Sequence, residues 1–256
     1  MLPELYHAHH NRHLEDIPFW LRLAAQTGDP ILELGCGTGR VLIPLARARF
    51  RCIGLDHDLA MLRYLEANLD PSIPVRPGLI SADISRFSLR ERFSLTILPC
   101  NTFSTLTTEQ RLGCLSCVRR HLVPGGMFVV VLPNPQIWHQ LPAYSEVEYE
   151  EEFILPHTGD PVQVYSSWQR KRKTVAITWI YDQLFPNGTV QRVTMQAVHY
   201  RIPVKTYLEE IQAAGFELLG TYGDYDWSPY QADSPYLIIL AKTAAAARDA
   251  PALSLY

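Results

Sequence analysis

The stretch "ILELGCGTGRVLIPLARARFRCIGLD", Ile31 to Asp56, limits the fold more than any other part of the chain. A short apolar run, Ile31–Leu34, meets three alternating glycines, Gly35, Gly37 and Gly39, and helical spacing follows. Such a turn feeds a buried strand into a helix, lets backbone approach a ligand, and aims helix N-terminal amides at it. The third glycine comes one residue early for the dinucleotide fingerprint G-x-G-x-x-G. Glu33, two residues before Gly35, would repel a phosphate and suits a ligand that is cationic near the loop. Asp56 ends the next apolar run, where a carboxylate can accept hydrogen bonds from ribose hydroxyls.

Around this unit the first half of the chain alternates. Helices are predicted over 16–27, 39–49, 59–69 and from about Thr108, and the first of them has Ile17, Trp20, Leu21 and Ala24 on its inner face. Strands are predicted over 31–34, 50–55, 79–82 and 95–100, and "PGGMFVVVLP" reads as a turn running into a fifth. This alternation predicts a parallel sheet with helices on both faces. From Glu148 to Arg201 four strand-like runs follow one another, with "HTGD" and "PNGT" as turn signals, so an antiparallel sheet is predicted as an insertion. A helix from Pro203, with Tyr207, Leu208 and Ile211 inward, and two strands, "FELLGTY" and "YLIILAKT", complete the first pattern. The predicted organisation is a core of residues 1–143 completed by 203–243, an inserted sheet over 144–202 and a loose tail over 244–256.

Composition narrows the function. Apolar residues are 47% and charged residues 19%, ordinary for a globular enzyme. A net charge of −3 gives no electrostatic reason to expect nucleic acid or an anionic membrane as partner. No apolar run is long enough to span a bilayer, and "MLPELYHAHHNRH" lacks the plan of a signal peptide, so the cytoplasm is the default compartment. Cys36, Cys52, Cys100, Cys114 and Cys117, an odd number within apolar runs, read as buried reduced thiols. The histidines of "HAHHNRH" read as a solvent-facing cap with no metal, one of which could still touch cofactor or substrate, and Cys114, Cys117 and His121 as helix packing rather than half of a zinc site.

Taken together, "ILELGCGTGR" and "GLDHDLAML" resemble the first motif and following acid of class I S-adenosylmethionine-dependent methyltransferases. "LISADISRF" resembles that family's third-strand segment, and "ILPCNTFSTL" and "VRRHLVPGGMFVVVLPNP" resemble its later motifs. The resemblance implies an α/β fold: a Rossmann-like, doubly wound seven-stranded sheet with the last strand antiparallel, here with an inserted antiparallel lid. It implies S-adenosylmethionine as cofactor, with S-adenosylhomocysteine as product. The implied cofactor-binding residues are Tyr6, Glu33, Gly35, Cys36, Gly37, Gly39, Asp56, His57, Met61, Asp83, Ile84, Pro99 and Asn101. Among them Asp83 would meet the adenine amino group, Ile84 the ring, and Tyr6 would close over the cofactor.

Within that class the chain is similar to small-molecule N-methyltransferases of the glycine and amino-sugar kinds. "LPCNTFSTL" resembles their "GNSFAHL"-type stretch, which implies Asn101 at the substrate edge. Thr105 stands where those enzymes have histidine, and "LPNPQIW" lacks their carboxylate-gripping arginine, which counts against glycine as the acceptor. Substrate-facing candidates are Asn101, His139 and Tyr200, with His199 and Tyr144 beside them; Trp168, Trp179 and Tyr181 either line a pocket or pack the sheet. The expected activity is in-line methyl transfer to a small molecule, at an amine nitrogen, with a homodimer through the inserted sheet also open. A non-catalytic cofactor-binding module and a nucleic-acid methyltransferase stand as alternatives.

Overall fold

The structure is a computed structural model and describes residues 1–244. All but the first residue of the expected tail therefore lies outside the described residues. Seven strands form one sheet: β1 (Ile31–Leu34), β2 (Cys52–Asp56), β3 (Gly78–Ser81), β4 (Phe93–Leu98), β5 (Leu122–Pro133), β10 (Phe216–Tyr222) and β11 (Tyr236–Thr243). Their order is β10-β11-β5-β4-β1-β2-β3. Pairings from β3 to β5 are parallel, while β11 runs antiparallel to both β5 and β10. The expected seven-stranded sheet with an antiparallel last strand is what forms.

Helices cover both faces. On one side α5 (Thr108–His121) and α7 (Val204–Ala213) pack Leu115, Val118, Tyr207 and Ile211 onto Leu34, Leu98 and Phe128. On the other, α2 (Ile17–Thr27), α3 (Leu42–Arg47) and α4 (Leu59–Ala67) pack Trp20, Leu23, Leu45 and Leu65 onto Ile31, Ile97 and Val129. The inner face of α2 is Phe19, Trp20, Leu23 and Ala24; Ile17 and Leu21 sit only partly buried at its edge. That is a rotation of the predicted stripe, because the Asp16 carboxylate accepts the Trp20 indole N–H at 2.8 Å and fixes how the helix enters. α5 begins at Thr108, as expected, and Thr107 is its cap, in a reciprocal capping box with Gln110.

The inserted segment is a separate antiparallel sheet in simple order, β6 (Glu148–Ile154), β7 (Pro161–Arg170), β8 (Thr174–Leu184) and β9 (Val190–Tyr200). It has its own apolar cluster of Phe153, Leu155, Val162, Val164 and Tyr181, and Leu5 of α1 (Leu2–His10) completes that cluster.

The N-terminal helix corrects the sequence reading. The histidines there do not all face solvent: His9 is buried, shares a hydrogen bond with Tyr181 Oη at 3.0 Å, and lies 3.2 Å from Glu151. The missed signal is Pro3 in the first turn, a position proline favours, followed by Leu5 and His9 one turn apart. The cysteines need a smaller correction. Four are buried as expected, but Cys100 is exposed.

Candidate active site

β1 lies between β4 and β2, where the strand order reverses, so a crevice opens beyond the carboxyl ends of these strands. Two cavities occupy that edge. One, of about 580 Å³, is lined by Gly35, Gly37, Asp56, His57, Met61, Asp83 and Ile84. The other, of about 640 Å³, lies under the inserted sheet and is lined by Tyr6, His10, Asn101, Trp138, Trp179 and His199 among others. Tyr6, Thr102 and Thr105 line both, so the cavities meet at those three side chains.

The smaller cavity is built from strand ends. Asp56 Oδ2 accepts the Gly37 N–H at 2.7 Å and Oδ1 accepts the Asp58 N–H at 2.8 Å, so one carboxylate braces the glycine turn and the start of α4. Asp83 accepts both the N–H and the hydroxyl of Ser85, which hold its pKa below the usual carboxylate value. A Cβ on Gly37 would meet nothing nearer than the Tyr6 ring at 3.9 Å. The side-chain space at Gly37 thus opens between turn and tyrosine, as a ligand cradle requires. Gly39 serves packing instead. At φ +85° its Cβ would fall 2.6 Å from Leu65 Cδ1, so glycine there lets α4 close onto the turn.

Glu33 is 2% exposed, and one carboxylate oxygen has no partner. Burial holds its pKa well above the ordinary value, while the nearby Arg40 guanidinium pulls the other way. A second wall is strained. Cys100 and Asn101 both take positive φ, 58° and 63°, where the chain leaves β4 and enters the 3-10 turn Thr102–Thr105. Non-glycine residues held there cost of order 1–3 kcal/mol each and cluster at functional sites. The strain lifts Asn101 to the edge of the larger cavity, with its Oδ1 buried and unpartnered. Arg40 braces the same wall: it pairs with both oxygens of Asp16 and donates to Cys100 Sγ at 3.0 Å.

Tyr6, Gly35, Gly37, Asp56, His57, Met61, Asp83 and Ile84 thus line the smaller cavity, and Asn101 the larger. Cys36 does not join them: its sulfur packs inward, against the space a Cβ on Gly54 would take. Gly39, Glu33 and Pro99 also lie behind the lining. His139 is exposed and accepts a hydrogen bond from Arg201 at 2.8 Å, off the cavity. Tyr200 is off it as well: β9 contributes Met195, Gln196, Ala197 and His199 to the cavity. Trp179 lines the cavity, Tyr181 is buried against α1, and Trp168 does neither. Sequence reasoning missed Arg40, Trp138 and Met195, which reach the cavity only through tertiary packing, and of the N-terminal histidines His10 lines it.

The chemistry of the smaller cavity fits S-adenosylmethionine. Three carboxylates, Asp56, Asp58 and Asp83, face one guanidinium, Arg86, whose Nε is 3.1 Å from Asp83. That balance disfavours a pyrophosphate and accommodates a ligand bearing a sulfonium and ribose hydroxyls.

Known proteins agree. A family model described as methyltransferase domain matches residues 31–126. A cypemycin N-terminal methyltransferase from Streptomyces sp is 26% identical over 223 residues, covering 83% of this chain and 82% of that protein. An S-adenosylmethionine-dependent methyltransferase from Clostridium acetobutylicum shares the fold with a TM-score of 0.78 at 16% identity, over 90% of this chain and 92% of that one. CalS10, an amino pentose methyltransferase from Micromonospora echinaspora solved with S-adenosylmethionine bound, has a TM-score of 0.68 at 20% identity, over 94% and 96%. With the glycine turn, the acids at successive strand ends and the sheet order in place, residues 31–126 match a methyltransferase domain and the chain is an S-adenosylmethionine-dependent methyltransferase.

Proposed function

We propose that the protein methylates an amine nitrogen of a small molecule, with the cofactor in the smaller cavity and the acceptor under the inserted sheet. The observation that carries this is the shared boundary: Tyr6, Thr102 and Thr105 belong to both cavities, so two ligands would touch only there. The similarity to a cypemycin N-terminal methyltransferase and to an amino pentose methyltransferase supports nitrogen as the target.

When bound, S-adenosylmethionine supplies a methyl group carried on a positively charged sulfur. The residues of this chain then have three tasks. Asp56 and Asp83 would hold the ribose and adenine side, Met61 and Ile84 would give the ring apolar contact, and the glycine turn would let the rest approach backbone. Tyr6 covers the boundary, and burial raises its phenol pKa, so it stays a neutral donor. Trp138, Ile177, Trp179 and Met195 give the acceptor apolar walls, and the inserted sheet excludes water as a lid over 144–202. Correct mutual orientation alone can supply about 7–11 kcal/mol of barrier reduction, so no strongly basic group is required for an amine.

The test is direct. Purified protein with S-adenosylmethionine is offered a panel of small primary and secondary amines beside matched alcohols and phenols, and products are read by mass. Amines gaining one methyl with stoichiometric S-adenosylhomocysteine are expected; turnover confined to hydroxyl acceptors refutes nitrogen as the target. Asn101→Ala should lower turnover at least tenfold with cofactor affinity within about twofold. Equal losses in both would put Asn101 with the cofactor alone.

A further inference from the structure

Resting on that reading of the larger cavity, we propose that His199, with His10 lining the same cavity, recognises the acceptor through the acceptor's N–H bonds and so selects the uncharged, hydrogen-bearing amine. The argument is one of tautomers. Ser104 Oγ lies 2.6 Å from the Asn101 carbonyl oxygen, which can only accept, so the single hydroxyl proton of Ser104 is committed to it. His199 Nδ1 lies 2.8 Å from the same Oγ. With that proton spent, the bond needs its hydrogen from the imidazole, so His199 is the Nδ1–H tautomer and Nε2 carries a bare lone pair. Among the described residues Nε2 has no hydrogen-bond partner, and His199 lines the cavity. The Trp138 ring, 4.7 Å away edge-on, keeps the imidazole from turning.

His10 repeats the arrangement from the N-terminal helix. Its Nδ1 lies 3.1 Å from the Tyr6 carbonyl oxygen, again a pure acceptor, so Nδ1 carries the proton and Nε2 does not. Tyr6 stacks on it with ring centroids 4.0 Å apart. Two elements far apart in sequence thus bring lone-pair nitrogens to one cavity.

Both rings are held neutral. Burial lowers the pKa of His199 to about 4, and its neighbours, Ser104 of the 3-10 turn, Trp138 of α6 (Pro135–Gln140) and Val175 of β8, bring no charge. Burial lowers that of His10 to about 3, with His9, Arg40 and His13 disfavouring its charging further and the Tyr6 carbonyl opposing. The remaining charged groups of the cavity, Glu15, Asp16 and Asp224, belong to the seven-stranded body. Imidazoles this hard to protonate are poor bases for an ammonium ion but steady acceptors for the N–H of a free amine. An amine so held points its own lone pair away from the imidazole, toward the open side of the cavity.

Long-range proton–nitrogen spectra of the histidine-labelled, cofactor-free protein test this. The expected result is protonated Nδ1 and bare Nε2 for His199, unchanged from pH 8 to 5.5. An Nε2–H tautomer, or titration near the ordinary 6.5, overturns the proposal. Ser104→Ala should release the tautomer preference; no change there also counts against it. With an amine that the wild type methylates, His199→Phe should raise the acceptor KM at least tenfold with cofactor affinity unchanged, and His199→Gln, which keeps an acceptor oxygen, should recover part of it. An unaltered KM in His199→Phe refutes the contact. The spectra need no acceptor, so a wrong tautomer sinks this proposal alone. An amine panel without turnover sinks the reading of the cavity instead.

Discussion

In the seven-stranded sheet every residue of β1 is buried, because helices lie on both faces. In the four-stranded sheet β9 alternates, with exposed residues on one face and half-buried ones on the other. The first kind of strand offers a ligand only its end, and the residues that matter, Gly35, Asp56 and Asp83, sit within two positions of strand ends. The second offers a whole face, and function depends on which face a residue takes. Tyr200 and His199 are chain neighbours, yet only His199 reaches the cavity. A cofactor common to many proteins suits the rigid edge, whereas an acceptor peculiar to one protein suits a face whose side chains can change without loss of the core.

The contrast can be broken in four ways. The largest effect should come from the core alone. Arg111 is 1% exposed, and both its guanidinium nitrogens Nε and Nη2 donate to Glu210 at 2.7 Å, joining α5 to α7. Glu210→Ala would strand a buried charge at a cost of about 3–5 kcal/mol in urea unfolding. A loss below about 1 kcal/mol would mean that this pair does not hold the body together.

Acid should act through the larger cavity. His10 and His199 are neutral when folded, down to about pH 3 and 4, but charge near 6.5 when unfolded. Between those limits the unfolded chain binds protons that the folded chain refuses, so stability is full above about pH 6.5 and declines as pH falls toward 4. For His199 the decline is on the order of 3 kcal/mol. Thermal unfolding across this range should show it, and His199→Gln should flatten the slope; a variant with the wild-type slope would remove His199 from the account.

Asp56→Ala should weaken S-adenosylmethionine binding at least tenfold, about 1.4 kcal/mol, by calorimetric titration. Unchanged affinity would reduce Asp56 to a brace for the Gly37 turn. The smallest effect sharpens the comparison most. Trp179→Ala in the lid should raise the acceptor KM by about fivefold, near 1 kcal/mol, and leave cofactor affinity within twofold. Equal loss of both would show that the two cavities do not work as separate sites.

Much of the first sheet was legible because its signals are local. A buried strand, a glycine turn and a helix are continuous in sequence, and the bounds of β1, β10 and β11 match the predicted runs. The four inserted strands were legible from their turns. The third glycine was legible as a signal but not as a role: the family resemblance implied a cofactor contact, and the 2.6 Å approach of Leu65 assigns it to packing. The acceptor side was hardly legible. His139 and Tyr200 stood out as titratable groups near strand ends, yet one turns to Arg201 and the other to the outer face. His10 and Arg40 gave no sign of sharing a cavity, since nothing local links them to β9.

By itself the sequence determined the strand–helix alternation, the glycine turn and the acids at the ends of β2 and β3, because each is written in residues close in the chain. Only the tertiary structure decided that Tyr6 roofs the boundary between two cavities, that Ser104 spends its proton on Asn101, and that His199 is left with a bare nitrogen. The last of these depends on a hydrogen bond between residues 95 positions apart, and no local pattern records which of two adjacent side chains on a strand will face inward.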